Sequence, residues 1–305
     1  MSWDGFLNML KPPGMTSSDM VASVRRLLPR GTRVGHGGTL DPDAAGVLPV
    51  CVGRATRLFD YIIDKQKRYV AVLRLGVETD TQDASGTALA VKDASGVTAD
   101  MVAAVLPRFV GEIDQVPPAY SAIKRGGVRM YALARAGEAP ALEPRRVVVD
   151  AVRLIADEGD QAFLIEVSCR KGVYIRTLCH DIGRALGVGG HMAALLRVSA
   201  GSFDIDQAVT IEALQGAAQA GTLERLMTKM DAPLGHYPAL RAPVAARGRV
   251  LNGVPLELSA CVCPEGLCPG AIVRVYVGDE FAGMGQADDQ GVVRMRAVLL
   301  DRAEA

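Results

Sequence analysis

The run Gly35-His36-Gly37-Gly38-Thr39-Leu40-Asp41-Pro42-Asp43 is the part of the chain best equipped for chemistry. Three glycines in four positions permit a tight turn and a close approach of backbone to a ligand. Pro42 biases Asp41 toward an extended conformation. A carboxylate held beside glycine-rich backbone can serve as a nucleophile or a general base. The competing reading is a turn aspartate that bonds its own backbone. The run has neither the GxxxxGKS/T nor the GxGxxG spacing of a phosphate loop, so no nucleotide cofactor is expected.

Two further runs combine cations with aromatic rings. In Lys67-Arg68-Tyr69 two cations precede a ring, which suits a phosphate-flanked base: charge for the backbone, ring face for stacking. Lys171-Gly172-Val173-Tyr174-Ile175-Arg176-Thr177 repeats the theme. An arginine near a buried carboxylate would hold it ionised and oriented through a bidentate pair. Tyr69 would equally suit a plain core. Six cysteines in a chain of this size do not make a disulfide framework. Cys261, Cys263 and Cys268 are spaced C-x-C-x4-C, three ligands where structural zinc takes four, so they read as thiols without catalytic consequence and no metal is expected.

These groups need elements to position them. Ser17 or Ser18 is expected to cap a helix to about residue 28, with Met20, Val21, Val24, Leu27 and Leu28 as its apolar stripe and Pro29 as its stop. Residues 69–75 read as a strand with Tyr69, Ala71, Leu73 and Leu75 on one face. Thr98 and Asp100 open a helix that ends near Pro107, strands follow at 146–155 and 162–169, and a helix at about 173–186 is closed by Gly187. This order predicts an α+β fold rather than a regular βαβ repeat. Residues 231–240 read as a linker. Short strands at 271–277, 280–284 and 292–299 make 236–305 a small β-rich second domain.

Composition narrows the class. The 34 Lys+Arg balance 34 Asp+Glu, with 49% hydrophobic and 22% charged residues, which excludes a disordered tail, a coiled coil and a basic packaging protein. The longest apolar stretch, 44–53, contains a proline and is too short to span a bilayer. No basic patch precedes an apolar run at the start, so no signal peptide is indicated and a cytoplasmic protein is expected. The charge is uneven. Four arginines and no acid lie in 25–33, six basic residues face two acidic ones in 124–146, and the last third is slightly acidic. Two basic segments on a neutral whole fit a polyanion groove or, equally, solvated faces.

Together GHGGTLDPDAAGVLPVCVGRATRL, KRYVAVLRLGVETDTQDASG, PPAYSAIKRGGVRMYALARAGE and CRKGVYIRTLCHDIGRALG resemble the bacterial tRNA pseudouridine-55 synthase (TruB) family. LKPPGMTSSD resembles that family's N-terminal KPxGxTS segment. The resemblance implies a pseudouridine synthase fold over 1–235, with a mixed, largely antiparallel central sheet, flanking helices and an RNA-binding insertion at about 124–146. It implies a PUA-like RNA-binding domain over 236–305. The implied reaction breaks the bond from uracil N1 to ribose C1′, turns the base and rejoins it through C5. That isomerisation is redox-neutral and needs no cofactor.

By the same resemblance Asp41 is the catalytic carboxylate. Attack on C1′, attack on uracil C6 and deprotonation of the ribose all remain open to it. Tyr69 stacks on the target uracil and assists proton removal at C5, and Arg176 pairs with Asp41 and lowers its pKa. Tyr174 and Leu195 line the uracil pocket, His36 contacts the splayed loop, and Asp83 accepts a hydrogen bond from a neighbouring extruded base. Lys67, Lys124, Arg125 and Arg129 are expected on the RNA backbone. The target base must be flipped out, because its reacting atoms are stacked inside the T loop. Gly37, Asp43 and Ala45 stand where the family usually has Thr, Leu and Thr, and Leu196 replaces an arginine. Asp43 would raise the pKa of Asp41 if it faced the site. The expected partner is the T stem-loop of tRNA, with no membrane, no obligatory protein partner and a monomeric chain. The alternatives are a catalytic subunit of a guide-RNA particle and a non-catalytic tRNA-binding or folding protein.

Overall fold

The computed structural model describes residues 3–63, 66–118, 124–125, 128–129, 142–263 and 266–301. Its strands are β1 (Gly5–Lys11), β2 (Val34–His36), β3 (Ala45–Val52), β4 (Lys67–Leu75), β5 (Val77–Thr79), β6 (Ala88–Val91), β7 (Gly111–Gln115), β8 (Lys124–Arg125), β9 (Val128–Arg129), β10 (Arg145–Gly159), β11 (Ala162–Cys169), β12 (Gly190–Ala200), β13 (Phe203–Asp204), β14 (Ala239–Ala242), β15 (Leu256–Glu257), β16 (Ile272–Val277), β17 (Glu280–Ala287) and β18 (Val292–Val298). The helices are α1 (Ser17–Arg26), α2 (Phe59–Ile63), α3 (Ala99–Val105), α4 (Ile175–Ala185), α5 (Ile211–Gln219) and α6 (Arg247–Leu251). Nine strands form one sheet along the path β1-β3-β12-β4-β11-β10-β7, with β2 on β3 and β13 on β12. Every strand pair named in it is antiparallel except β3–β12. This is the mixed, largely antiparallel sheet expected of an α+β chain.

The central strand β4 follows its period-two pattern, with Tyr69, Ala71, Leu73 and Leu75 buried. Strands β1 and β3 lack such alternation because both faces of each are covered, so their apolar runs carry no strand signature. The cap of α1 differs from expectation. Thr16 forms it, its hydroxyl accepting the Asp19 N–H while the Asp19 carboxylate accepts the Thr16 N–H. Ser17 instead accepts the Leu40 N–H at 2.9 Å and donates to the Leu40 carbonyl at 3.1 Å. Helix α4 begins two residues later than expected, because Tyr174 is extended (φ −99°, ψ 110°) and its backbone is engaged by the Gln115 side chain.

A second sheet of order β14-β16-β17-β18-β15 holds the strands expected near the C-terminus. The 231–240 segment is not a solvated linker. Pro233 and Leu234 are buried in a short 3-10 turn, and Ala239 and Leu240 already belong to β14. Leu234 joins Phe6, Val47 and Phe203 of the first sheet, Met284 of the second and Leu299 just after β18 in one apolar core. Apolar packing overrides the turn-like composition there. No helix among the described residues is long and apolar enough to cross a membrane.

The parallel contact of β3 with β12 depends on Gly46. Its φ is +115°, and a Cβ there would lie 2.2 Å from the Arg197 carbonyl oxygen. Gly46→Ala is expected to cost about 2 kcal/mol or more, from the positive φ and from prising the strands apart. Chemical denaturation checks this, and a midpoint equal to wild type would show that β12 yields without cost.

Candidate active site

Asp41 lies on the connection between β2 and β3, which buried polar groups pin along its length. Arg197, 1% exposed on β12, donates to the carbonyls of Val47 (2.7 Å), Gly38 (3.2 Å) and Thr39 (3.4 Å). Ser17 fixes both backbone groups of Leu40. On the far side of Asp41, the fully buried Lys11 ammonium donates to the carbonyls of Pro42 (2.9 Å), Met15 (2.6 Å) and Pro12 (2.9 Å). Burial lowers the Lys11 pKa, against the pull of Asp43 and Asp41. The residues on both sides of Asp41 are therefore immobilised through backbone bonds, which leaves its carboxylate free for the cleft.

Arg176, in the first turn of α4 and 5% exposed, supplies the counter-charge. Its Nε lies 2.9 Å from Asp41 Oδ2, and its Nη2 donates to Asp41 Oδ1 at 3.4 Å. Arg176 therefore meets Asp41 through one hydrogen bond, from Nη2, and one charge contact, at Nε, rather than through the two parallel hydrogen bonds of the expected bidentate pair. Nη1 turns the other way and donates to Asp83 Oδ2 at 3.1 Å and to the Thr81 carbonyl at 3.3 Å. The other oxygen of Asp83 accepts from Thr81 Oγ1 (2.7 Å), Ser85 Oγ (2.6 Å) and the Ser85 N–H (3.0 Å). Burial pushes Asp83 upward, but the Ser85 and Thr81 hydrogen bonds and the Arg176 charge outweigh it and hold its carboxyl below the ordinary range.

Asp41 goes the other way. Burial is the largest influence and raises its pKa, Arg176 pulls it down, Asp83 pushes it up, and Lys11 and Asp43 add smaller opposing effects. The net direction is upward, so the expected lowering by Arg176 is real but is outweighed by desolvation. Asp43 is exposed and ranks last among these influences. At Gly37 an added Cβ would meet Ile62 Cδ1 at 2.9 Å, so Ile62 already fills the space beside it.

A cavity of about 290 Å³ opens beside Asp41. Tyr69, Tyr174, Leu195, Lys67 and Arg176 line it together with Asp41, so six of the expected site residues converge. Tyr69, 8% exposed, faces Arg197 across the β4–β12 rung, and the charge of that guanidinium acts on its hydroxyl. Burial raises the Tyr69 pKa more than Arg197 lowers it, which keeps the phenol neutral. Asp83 joins the site through Arg176 and does not line the cavity. His36, half-buried at the end of β2, is also outside the lining, and burial followed by the Arg197 charge pushes its pKa down. The side chains of Lys124, Arg125 and Arg129 lie outside the described residues.

Sequence reasoning missed Lys11, Gln115 and the structural use of Arg197, as well as Arg170 on the cavity rim beside Lys171, which the cation-and-ring run had singled out. A lysine between an apolar strand and Pro-Pro-Gly was the available signal for Lys11. Nothing local marked Gln115. Burial pushes the thiols of Cys51, Cys169 and Cys179 up to about 12, which makes them inert. Among the described residues no group of three or more His, Cys, Asp or Glu is arranged to hold a metal. Asp83→Asn is expected to leave the fold intact and to raise the share of Arg176 charge acting on Asp41. The Asp41 pKa should then fall, which a carbon NMR titration of its carboxyl checks. An upward move would refute the repulsion between the two carboxylates.

Known proteins resemble this chain in sequence and in fold. Residues 25–175 match the family profile described as TruB family pseudouridylate synthase (N terminal domain), and 176–235 match that of the tRNA pseudouridylate synthase B C-terminal domain. A tRNA pseudouridine synthase B of Symbiobacterium thermophilum is 49% identical over 253 residues, 82% of each chain. That of Stutzerimonas stutzeri is 42% identical over 299 residues, 97% of this chain and 95% of its own. Among solved structures, a chain of an H/ACA RNP bound to a substrate RNA containing 2′-deoxyuridine superposes with a TM-score of 0.75 at 26% identity, covering 98% of this chain and 86% of that one. The archaeal box H/ACA sRNP Nop10-Cbf5 complex gives 0.74 at 28%, with the same coverage. The nine-stranded mixed sheet is thus the pseudouridine synthase fold, and with both profiles and close relatives matched along most of its length, the chain belongs to the TruB family of pseudouridylate synthases.

Proposed function

We propose that this protein isomerises uridine 55 in the T loop of tRNA to pseudouridine, with Asp41 as the catalytic carboxylate. The observation that carries the reading is the Asp41–Arg176 pair at a base-sized cavity floored by Tyr69. In the reaction the N1–C1′ bond breaks, a C5–C1′ bond forms, the C5 proton leaves and N1 gains one. Attack at C1′, attack at C6 and ribose deprotonation all require the ionised carboxylate. Arg176 opposes the burial that would protonate it. The neutral phenol of Tyr69 offers a ring face to the uracil and a hydroxyl to the water or base that removes the C5 proton. Tyr174 and Leu195 would close over the flipped base, while Lys67 with Arg170 and Lys171 would meet flanking phosphates. On this reading His36 and Asp83 meet neighbouring nucleotides of the opened loop, Asp83 through lone pairs left beyond its internal bonds.

Residues 1–235 would form the catalytic domain, with Lys124, Arg125 and Arg129 in its RNA-binding insertion. Residues 236–305 would be a PUA-like domain that grips the acceptor side of tRNA. We take the protein to act in the cytoplasm, as a monomer, on tRNA alone and without a cofactor. The likeness to H/ACA particle chains favours one second reading, a subunit that needs a guide RNA. Turnover of naked tRNA transcript by the isolated chain would exclude it.

Tritium release from tRNA labelled at uridine C5 is the direct test. Asp41→Asn is expected to lower it by about 10³-fold or more while tRNA affinity stays nearly unchanged. Substantial turnover by this variant would sink the assignment. The pH dependence has a definite sign. Asp41 is protonated below its pKa, which burial holds above the ordinary aspartate value. The rate should therefore fall with decreasing pH through an acid limb lying above the ordinary value of about 3.9. Arg176→Met removes the main downward influence and should move that limb further up. An unmoved limb would count against the role given to Arg176.

A further inference from the structure

Gln115 ends β7 with a side chain that is 1% exposed. Its carboxamide makes two bonds to one residue: Oε1 accepts the Tyr174 N–H at 2.8 Å, and Nε2 donates to the Tyr174 carbonyl at 3.0 Å. A side-chain amide so placed imitates the rung of a strand ladder, with donor and acceptor both matched. The residue it grips is decisive for the cleft. Tyr174 lines the cavity, and its carbonyl also accepts the first helical bond of α4, from the Leu178 N–H at 3.0 Å. Two residues later the chain presents Arg176 to Asp41 and Asp83. No capping side chain bonds the start of α4, so the amide of Gln115 is the described side-chain device that fixes where the helix begins.

A second glutamine secures the same turn from the opposite side. Thr177 Oγ1 donates to Gln82 Oε1 at 2.7 Å, and Gln82 holds a left-handed backbone (φ +64°) beside Asp83. A non-glycine residue in that region is retained at a cost and marks a position fixed by its surroundings. Arg176 thus stands between two glutamine-held neighbours.

We infer that Gln115 is a positioning residue for pseudouridine formation, acting through the Tyr174 backbone to set where Tyr174 and Arg176 stand against Asp41. Glutamine is the side chain that suits the task. Methionine fills the same space but leaves the Tyr174 N–H without its acceptor, and asparagine carries the same amide one methylene too short to reach both groups. The inference rests on the function proposed above, yet one of its readouts does not depend on activity.

The experiment compares wild type with Gln115→Met, and with Gln115→Asn should the methionine variant fail to fold. Three quantities are read: the carbon NMR titration of the Asp41 carboxyl in free enzyme, tRNA affinity, and single-turnover tritium release. Asp41 is faced by Arg176, Asp83, Lys11 and Asp43, and of these the substitution loosens Arg176. The Asp41 titration is expected to move upward, turnover to fall by about 10- to 100-fold, and affinity to stay nearly constant. A folded variant with the wild-type titration and rate overturns the inference. So does a parallel loss of affinity and rate with the Asp41 titration unmoved, which would make Gln115 a purely structural residue. If wild type itself releases no tritium, the proposed function fails, and the Asp41 titration still decides whether Gln115 sets the pair.

Discussion

A single guanidinium, buried between two carboxylates, organises the centre of this molecule. Taking Arg176 out of water is costly, and the hydrogen bonds of its Nη1 and Nη2 to Asp83, the Thr81 carbonyl and Asp41, with the Asp41 charge beside Nε, offset that cost. The two acids are not equivalent. Asp83 is wrapped in hydroxyl and amide donors that fix it as an anion, while Asp41 faces the cleft with 38% of its side chain open. The result is an arginine anchored by one carboxylate and presented to the other. Asp41 thus keeps a raised proton affinity without losing its partner.

The frame around that pair is built from buried cations that bind backbone instead of acids. Lys11 spends its three hydrogens on carbonyls, and Arg197 reaches three more, two on the β2–β3 connection and one within β3. Such bonds fix the course of the loop without neutralising anything in the cleft. They also place two positive charges near Asp41 and Tyr69 that water does not screen.

Much of this was legible in the sequence, and the remainder was hidden for definite reasons. Glycine-rich backbone before Asp41-Pro42, the alternation of β4 and the Tyr174–Arg176 spacing all carry local signatures, and all appear where expected. Strands β1 and β3 were missed because burial on both faces erases period two. The 231–240 segment was misread because its prolines and glycine suggest solvent, whereas Leu234 is fully buried by contacts from distant strands. Gln115 and Arg197 gain their roles only from partners tens of residues away, Tyr174 for one and Gly38 and Thr39 for the other. The net upward direction at Asp41 was equally out of reach, since spacing reveals a partner but not how far the walls of the cleft desolvate the carboxylate.

The apolar core shared by the two sheets bears on how such a chain can evolve. A domain joined by a flexible tether can be exchanged, lost or replaced with little effect on its neighbour. Here Phe6, Val47 and Phe203 find part of their cover on Leu234, Met284 and Leu299, and Arg54 of the first unit donates to the Leu299 carbonyl at 2.6 Å. Removing the last third would bare the back of β1 and β3, the same strands whose connection carries Asp41. The C-terminal sheet has thereby ceased to be an interchangeable accessory. Its sequence is constrained by the cover it gives the larger unit as well as by whatever it binds.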